Sequence, residues 1–462
     1  TLFVDEAIYV QVGDRLWAGI PQDAMSWMHG SYLYPLLASF ANSLGGHVGV
    51  RILSAILITV AGAVLFFVTR RLFNHTSAWW ALVIFGFTPI SISMGQYGVY
   101  DALAVPFLAV SMYAIARAAQ APRRSENAYL AIAGFSFVGG VLSKYFLVLY
   151  LPALLLFGLL LYNARHRAKL PLFVGFLGNV LLWLSLFVIT YWNDLSQLIS
   201  GGYGVRGGSR LQIVSNIWRE IGFVSVIALF GVYWLVRSWR GLSHWRLRSM
   251  FIVELFVLSM FAAPIYHIAT GNVNAAWKHT IFSLVFLAPL AGYGVANSIE
   301  LLRQRSSRSI IFHVLSLGVV LFCTSWLLNF TLDRNWGFQH SWPSTAQHIA
   351  YIQKLSPAPQ RVLAEGAQIF SYYNHDTVNP KTQWQDTWFF DYKGLEGTAA
   401  MQQAIRDGWF DVVFLNDYYT PGLRATLQPV LEQSGYRLGL QTSETLSDGD
   451  IIQNDVYVRS SK

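Results

Sequence analysis

At 462 residues the chain is long enough for two or three soluble domains, but 54% hydrophobic and only 12% charged residues exclude that for most of it; soluble domains carry about 25% charged residues. The formal net charge of +8 does not point to nucleic acid, because Lys and Arg fall in short gaps between long apolar stretches, where membrane topology requires them. A single cysteine, Cys323, excludes a disulfide framework and a cysteine metal site.

The chain opens at Thr1 without Met and without a charged-then-apolar leader, which predicts that an N-terminal segment was removed or is absent. Ile8, Val12 and Leu16 recur at four-residue spacing and predict an amphipathic helix lying on the membrane surface. Asp5 and Glu6 stand at its start, where the helix dipole favours negative charge; they either cap this helix or carry chemistry. Next comes His29-Gly-Ser-Tyr32-Leu-Tyr-Pro35, whose tyrosines are interfacial belt residues or line the entry to a site.

Ten stretches are long and apolar enough to cross a bilayer: 48–69, 77–96, 99–118, 127–144, 146–162, 171–192, 217–236, 249–269, 280–299 and 309–330. Seventeen Trp, 23 Tyr and 31 Phe suit two aromatic belts. One set of gaps holds fifteen basic residues, including Arg70, Arg71, Arg123, Arg124, Arg237 and Arg303; the other side holds eight, among them Arg51, Lys144 and Arg210. The fifteen are expected in the cytoplasm. Residues 1–47 then form a first extracytoplasmic loop, 48–332 a bundle of about ten helices, and 333–462 an extracytoplasmic domain in an integral plasma (inner) membrane protein. Ten spans with both ends outside imply one further span before Thr1.

After residue 340 the pattern changes. Ser344–Lys354, Thr398–Arg406 and Leu423–Ser434 read as helices, and Arg361–Ala364, Asp411–Leu415 and Ile451–Val458 as strands. Their alternation predicts a small α/β domain, so the fold class is a polytopic α-helical membrane protein with a C-terminal soluble α/β domain. No phosphate-cradling glycine loop occurs in it, and the reading is recognition or positioning rather than chemistry.

Several polar groups fall on the outer side of the bundle. Asp101, in Tyr97-Gly-Val-Tyr100-Asp101, is the only acid between Asp23 and Glu126; a carboxylate at a membrane boundary is a helix cap or has a partner or a job. Lys144 sits between two spans and suits a phosphate, or snorkels to the interface. The glycine-rich stretch 201–210 offers Arg206 and Arg210 to a phosphate, or is merely flexible. His267, Lys278 and His279 flank a further outer turn, where lone histidines are usually structural. Carboxylates and cations on one face of a lipid-embedded bundle are what a group transfer from a lipid phosphate to an acceptor hydroxyl needs. A carboxylate takes the proton, while cations, or a divalent ion held by Asp5 and Asp101, stabilise the leaving phosphate.

Val4-Asp5-Glu6-Ala7-Ile8-Tyr9 resembles the first-loop acidic motif of the GT-C glycosyltransferases, in the branch with protein O-mannosyltransferases and bacterial lipid A aminoarabinose transferases. Further segments follow in that family's order: His29–Pro35, Gly49-Val-Arg51-Ile-Leu-Ser-Ala55, Tyr100-Asp101-Ala102-Leu103, Gly140-Val-Leu-Ser-Lys144, and the late span from Lys278. The resemblance covers residues 4 to 330. It implies an inverting transfer of a sugar from a polyprenyl-phosphate donor to a glycan, lipid or protein acceptor, with membrane lipids around the bundle. It implies Asp5 as base with Glu6 beside it, Asp101 as second acid and Lys144 at the donor phosphate. Tyr32, Tyr97, Tyr100, Lys278 and His279, with His29, are expected to line the substrate. No cofactor is certain; a divalent cation stays open. Two departures stand out: the family's first span is missing before Thr1, and its double proline is reduced to Pro35. The alternative function is a transporter or lipid flippase, which inverted repeats and broken helices would mark; the sequence displays neither.

Overall fold

The structure is a computed structural model and describes residues 2–20, 31–164, 168–193, 195–196, 209–238, 261–273, 275–305, 318, 325, 327–337, 339–447 and 449–460. The chain falls into two compact units: Thr1–Gln22, Pro35–His47 and Asp333–Lys462 make one, Asp23–Tyr34 and Val48–Leu332 the other.

Among the described residues six helices are long and apolar enough to span a membrane, and a bent pair makes up to seven. Helix α1 (Val4–Trp17) and the Pro35–His47 part of α2 (Leu33–Leu72) fall in the smaller unit; the larger unit takes the rest of α2 and runs through α3 (His75–Phe87), α4 (Pro89–Gln96), α5 (Asp101–Ala118), α6 (Arg123–Ser143), α7 (Leu151–Ala164), α8 (Asn179–Thr190), α9 (Arg210–Ser238), α10 (Ala262–Thr270) and α11 (Ala276–Arg305). The expected spans 249–269 and 309–330 lie mostly outside the described residues. The expected span 127–144 is helix α6, which opens with Arg123, Arg124 and Glu126 and is not among the six.

The sequence reading of unbroken helices needs correction. The expected span 77–96 is two helices, α3 and α4, bent by 60°. Thr88, held extended at ψ 137°, precedes Pro89, the first residue of α4. A residue before proline is pushed out of the helical region, and proline has no N–H to continue the ladder. Helix α2 starts at Leu33, not 48, and breaks at Gly45 and Gly46, where Gly46 takes φ +60°. Without a Cβ, glycine reaches that conformation at no steric cost.

Helix α11 is central: 89% of its span is buried, against 17% for the span that ends in α8. Glycines let its neighbours approach. A Cβ on Gly292 would lie 2.5 Å from both the Ser77 carbonyl and the Ala81 amide of α3, and a Cβ on Gly231 of α9 would strike the Leu290 carbonyl. Such small residues permit the close helix packing that stabilises membrane bundles.

The smaller unit holds the α/β domain, with α12 (Ala346–Gln353), β1 (Arg361–Ala364), α13 (Ala367–Tyr373), β2 (Gln383–Asp386), β3 (Asp391–Tyr392), β4 (Leu395–Glu396), α14 (Gly397–Arg406), β5 (Val412–Leu415), α15 (Leu423–Gln433), β6 (Tyr436–Thr445) and β7 (Ile451–Arg459). The five-stranded sheet runs β2-β1-β5-β7-β6; β2, β1 and β5 are parallel and β7 is antiparallel to both its neighbours. All four residues of β5, Val-Val-Phe-Leu, are buried, as in a strand covered on both faces. Leu363, Val413, Leu415, Ile405, Phe410 and Leu427 form its core.

Helix α1 belongs to this same unit. It packs on α13, Gln11 Nε2 donates to the Gln368 carbonyl at 2.5 Å, and Phe3 meets Trp342 with ring centroids 5.3 Å apart. Val4, Ala7, Ile8, Tyr9 and Val10 are buried by protein.

Candidate active site

In the larger unit the site is built where α4 ends and α5 begins. Asp101 is the first residue of α5, and only 1% of its side chain is exposed. A helix N-terminus favours a carboxylate there, but burial in a bundle demands a counter-charge. Lys144, the residue that ends α6, supplies it: Nζ lies 3.2 and 3.3 Å from the two carboxylate oxygens. Nζ also donates to the Tyr100 hydroxyl at 2.9 Å and sits 4.0 Å from the centre of that ring. The ammonium is thus held by an acid, a phenol and a π face at once.

The segment before α2 reaches the same place. Ser31 Oγ donates to the Leu142 and Ser143 carbonyls, the second at 2.9 Å, directly before Lys144. Tyr32 follows, half-buried, and Tyr34 shares a 3.0 Å hydrogen bond with Ser54. Tyr97 is buried, with Arg51 over its ring at 5.8 Å. Beyond Lys144 the backbone forms a short 3-10 turn, Tyr145–Tyr150, on which Phe146 stacks against His279 at 3.8 Å. His279 Nδ1 in turn lies 2.8 Å from His267 Nε2. Lys278 sits over the ring of Trp277 at 5.6 Å. Arg210 is exposed at the start of α9. His29 and Arg206 lie outside the described residues.

In the smaller unit Asp5 and Glu6 occupy the first turn of α1. Glu6 is fully buried and its Oε2 accepts from the Phe3 amide at 2.9 Å, so it caps its own helix. Asp5 is half-buried, and its charge reaches Tyr419. Burial first, then the neighbours Tyr418, Asp5, Asp386 and Glu365, push the Tyr419 phenol well above its ordinary value.

Glu365 and Asp386 lie at the carboxyl ends of β1 and β2, and the sequence reading missed both. Glu365 accepts from the amides of Asn416 at 2.7 Å and of Asp417 and Thr420 at 2.9 Å, tying down the loop after β5. Burial outweighs those bonds and pushes its carboxyl up to about 7. Asp386 accepts from the Trp388 and Ala367 amides at 2.8 and 3.2 Å, and burial lifts it to about 6. For Glu365 the available signal was an acid directly after a buried strand, at the edge where open α/β sheets bind ligands; Asp386 ends a strand without a buried residue and carries no such signal.

No three His, Cys, Asp or Glu side chains come together to hold a metal among the described residues. At Asp101 the counter-charge is the Lys144 ammonium.

Residues 29–192 match the family model described as dolichyl-phosphate-mannose-protein mannosyltransferase. Comparison with curated protein sequences finds no match. Among solved structures the chain is similar to ArnT from Cupriavidus metallidurans in its apo state, at 13% identity and TM-score 0.59, covering 99% of this chain and 94% of that one. ArnT bound to undecaprenyl phosphate gives TM-score 0.58 over the same shares. The oligosaccharyltransferase AglB from Archaeoglobus fulgidus, in complex with an inhibitory peptide and a dolichol-phosphate, is similar at 14% identity and TM-score 0.55, covering 99% of this chain and 70% of that one. The chain is a polytopic membrane protein with the fold of the GT-C membrane glycosyltransferases and a C-terminal α/β domain.

Proposed function

We propose that the protein is an inverting glycosyltransferase that moves a sugar from a polyprenyl-phosphate donor to an acceptor hydroxyl at the outer face of the membrane. The observation that carries this reading is the buried Asp101–Lys144–Tyr100 group, built at a helix start inside a bundle of this fold. A buried ion pair is weak support for stability alone, and ionisable groups inside a membrane bundle are costly unless they serve a function. That ArnT binds undecaprenyl phosphate and AglB a dolichol-phosphate supports a lipid phosphate as the ligand of this fold.

In this reading the acceptor O–H proton passes to a carboxylate, the acceptor oxygen bonds to the anomeric carbon from the opposite face, and the C–O bond to phosphate breaks with its electrons on the phosphate. Lys144 turns from Asp101 to share its charge with that phosphate. Asp5 is assigned the base from its motif, with Glu6 fixing the helix that carries it. Arg206 and Arg210 stay as assignments from charge, and the acceptor is a glycan, lipid or protein.

The test is transfer from undecaprenyl-phosphate sugars by purified protein. Asp5→Asn is expected to lower the rate about 10²- to 10⁴-fold, the usual worth of a general base, with expression unchanged. Unchanged transfer rejects Asp5 as the base. The bend at Thr88–Pro89 favours the flippase alternative; lipid movement across vesicles without any sugar transfer would decide for it.

A further inference from the structure

The His267–His279 chain has a direction fixed by a backbone carbonyl. His267 Nδ1 lies 2.8 Å from the Asn272 carbonyl oxygen, which can only accept, so Nδ1 carries the proton. No acid touches either ring among the described residues; the neighbours are Asn272, Phe146, Tyr266 and Phe282. An imidazolium buried without an acid is costly, so both rings are neutral. His267 Nε2 is then a lone pair, and His279 Nδ1 must donate to it across their 2.8 Å contact.

One nitrogen is left over. His279 Nε2 is a bare acceptor, buried and with no hydrogen-bond partner among the described residues. Phe146, stacked on the ring, opposes its turning. Lys144 stands two residues before Phe146, and its charge reaches both imidazoles.

We infer that His279 Nε2 accepts a hydrogen bond from a hydroxyl of the donor sugar next to the phosphate at Lys144, and is therefore a specificity-determining residue with His267 as its positioning residue. This deepens the glycosyltransferase reading and rests on it. The chemistry separates sugar from phosphate: a phosphodiester monoanion has no proton to give, so it leaves a bare acceptor unsatisfied. A sugar hydroxyl satisfies it. Sites that hydrogen-bond a hydroxyl discriminate strongly against ligands lacking it, because their own buried group is then left unpaired.

Binding to the protein in nanodiscs tests this with undecaprenyl methyl phosphate, a bare lipid phosphodiester of the donor's charge, and with the mannosyl, glucosyl, galactosyl and 4-aminoarabinosyl esters of undecaprenyl phosphate. Wild type is expected to hold at least one ester more tightly than the bare lipid. His279→Phe, which keeps the ring and loses the nitrogen, is expected to cut that ester's affinity about tenfold, the worth of one hydrogen bond to a buried group, and to leave the bare lipid within about twofold. His267→Gln supplies a carbonyl for His279 Nδ1–H and is expected to keep the ester preference; His267→Leu is expected to lose it. Equal losses for both lipids, or an ester preference that survives His279→Phe, overturns the inference. So does a wild type that gains nothing from any of the four sugars. A wild type that binds neither bare lipid nor ester overturns the donor reading itself, and Lys144→Ala, expected to weaken all the lipids alike, reports on that reading separately.

Discussion

Each of the two units holds a lysine–aspartate pair, and the shorter of the two is the more exposed. Lys393–Asp407, in the C-terminal domain, is 2.7 Å long with side chains 63% and 28% exposed. Lys144–Asp101, in the bundle, is 3.2 Å long with side chains 10% and 1% exposed. Water competes for the first pair and screens it. The second has only its own partners, so removing one leaves the other uncompensated. Distance tells little about an ion pair's worth; what surrounds it tells more.

The largest expected effect follows directly. Lys144→Ala strands the Asp101 carboxylate and is expected to cost about 3–5 kcal/mol, as for breaking a buried pair from one side. Adding Asp101→Asn should recover most of that loss. Thermal unfolding in detergent checks both variants. A Lys144→Ala protein as stable as wild type would mean that Asp101 has other compensation.

Glu365 sharpens the comparison, since it is a buried acid held by amides rather than by a cation. Its carboxyl rises from 4.5 to about 7 on folding, so between those values the folded state binds the proton that the unfolded state has lost. Stability from this group is complete below pH 4.5 and is lost as pH rises to about 7, by about 3 kcal/mol at most. Asp386 tilts stability the same way between 3.8 and about 6. Glu365→Gln is expected to remove the upper part of that slope. It should also lower stability by about 1–3 kcal/mol, because an amide nitrogen then faces one of three N–H donors. Unfolding midpoints and hydrogen exchange at 416–420 across pH 4–8 are the measurements; a wild-type midpoint that climbs steadily with pH over this window would refute the assignment.

Packing gives a smaller effect. Gly292→Val puts methyl groups into the Ser77 and Ala81 backbone, which cannot turn aside, and is expected to cost about 1–3 kcal/mol. Gly86→Ala in α3, where a Cβ meets nothing within 4 Å, should be neutral or slightly stabilising. Equal midpoints for the two variants would show that α3 and α11 are not in close contact.

The fold class was readable because long apolar runs and an excess of basic residues in alternate gaps leave few other structures open. The bend at Thr88 was readable in principle from Pro89, but hydropathy averages over it. In the α/β domain, β5 announces itself by four consecutive apolar residues, whereas β2, Gln-Trp-Gln-Asp, has no fully buried residue and β6 is a largely exposed edge strand. Helix α13 is only seven residues long, too short to show a period. Asp101 and Lys144 stand out in sequence because charge is rare in apolar surroundings. Their mutual pairing, 43 residues apart, is a tertiary fact, as is the histidine chain. Glu365 was overlooked because acids are common in a soluble domain, and its importance comes from burial alone.

The smallest effect belongs to the pair with the better geometry. Asp407 lies below its ordinary value because Lys393 hydrogen-bonds it and adds its charge, so the pair helps only above the usual aspartate range and its help fades as pH falls. The lysine loses rotamer freedom to hold that 2.7 Å contact, and solvent offers both groups nearly equivalent partners. Gln403 also donates to Asp407, at 3.0 Å, and remains when the lysine is gone. Lys393→Ala is therefore expected to leave the unfolding midpoint within experimental error. If it instead destabilises the protein as much as Lys144→Ala does, exposure is not what separates the two pairs, and the value placed on the buried one would need another cause.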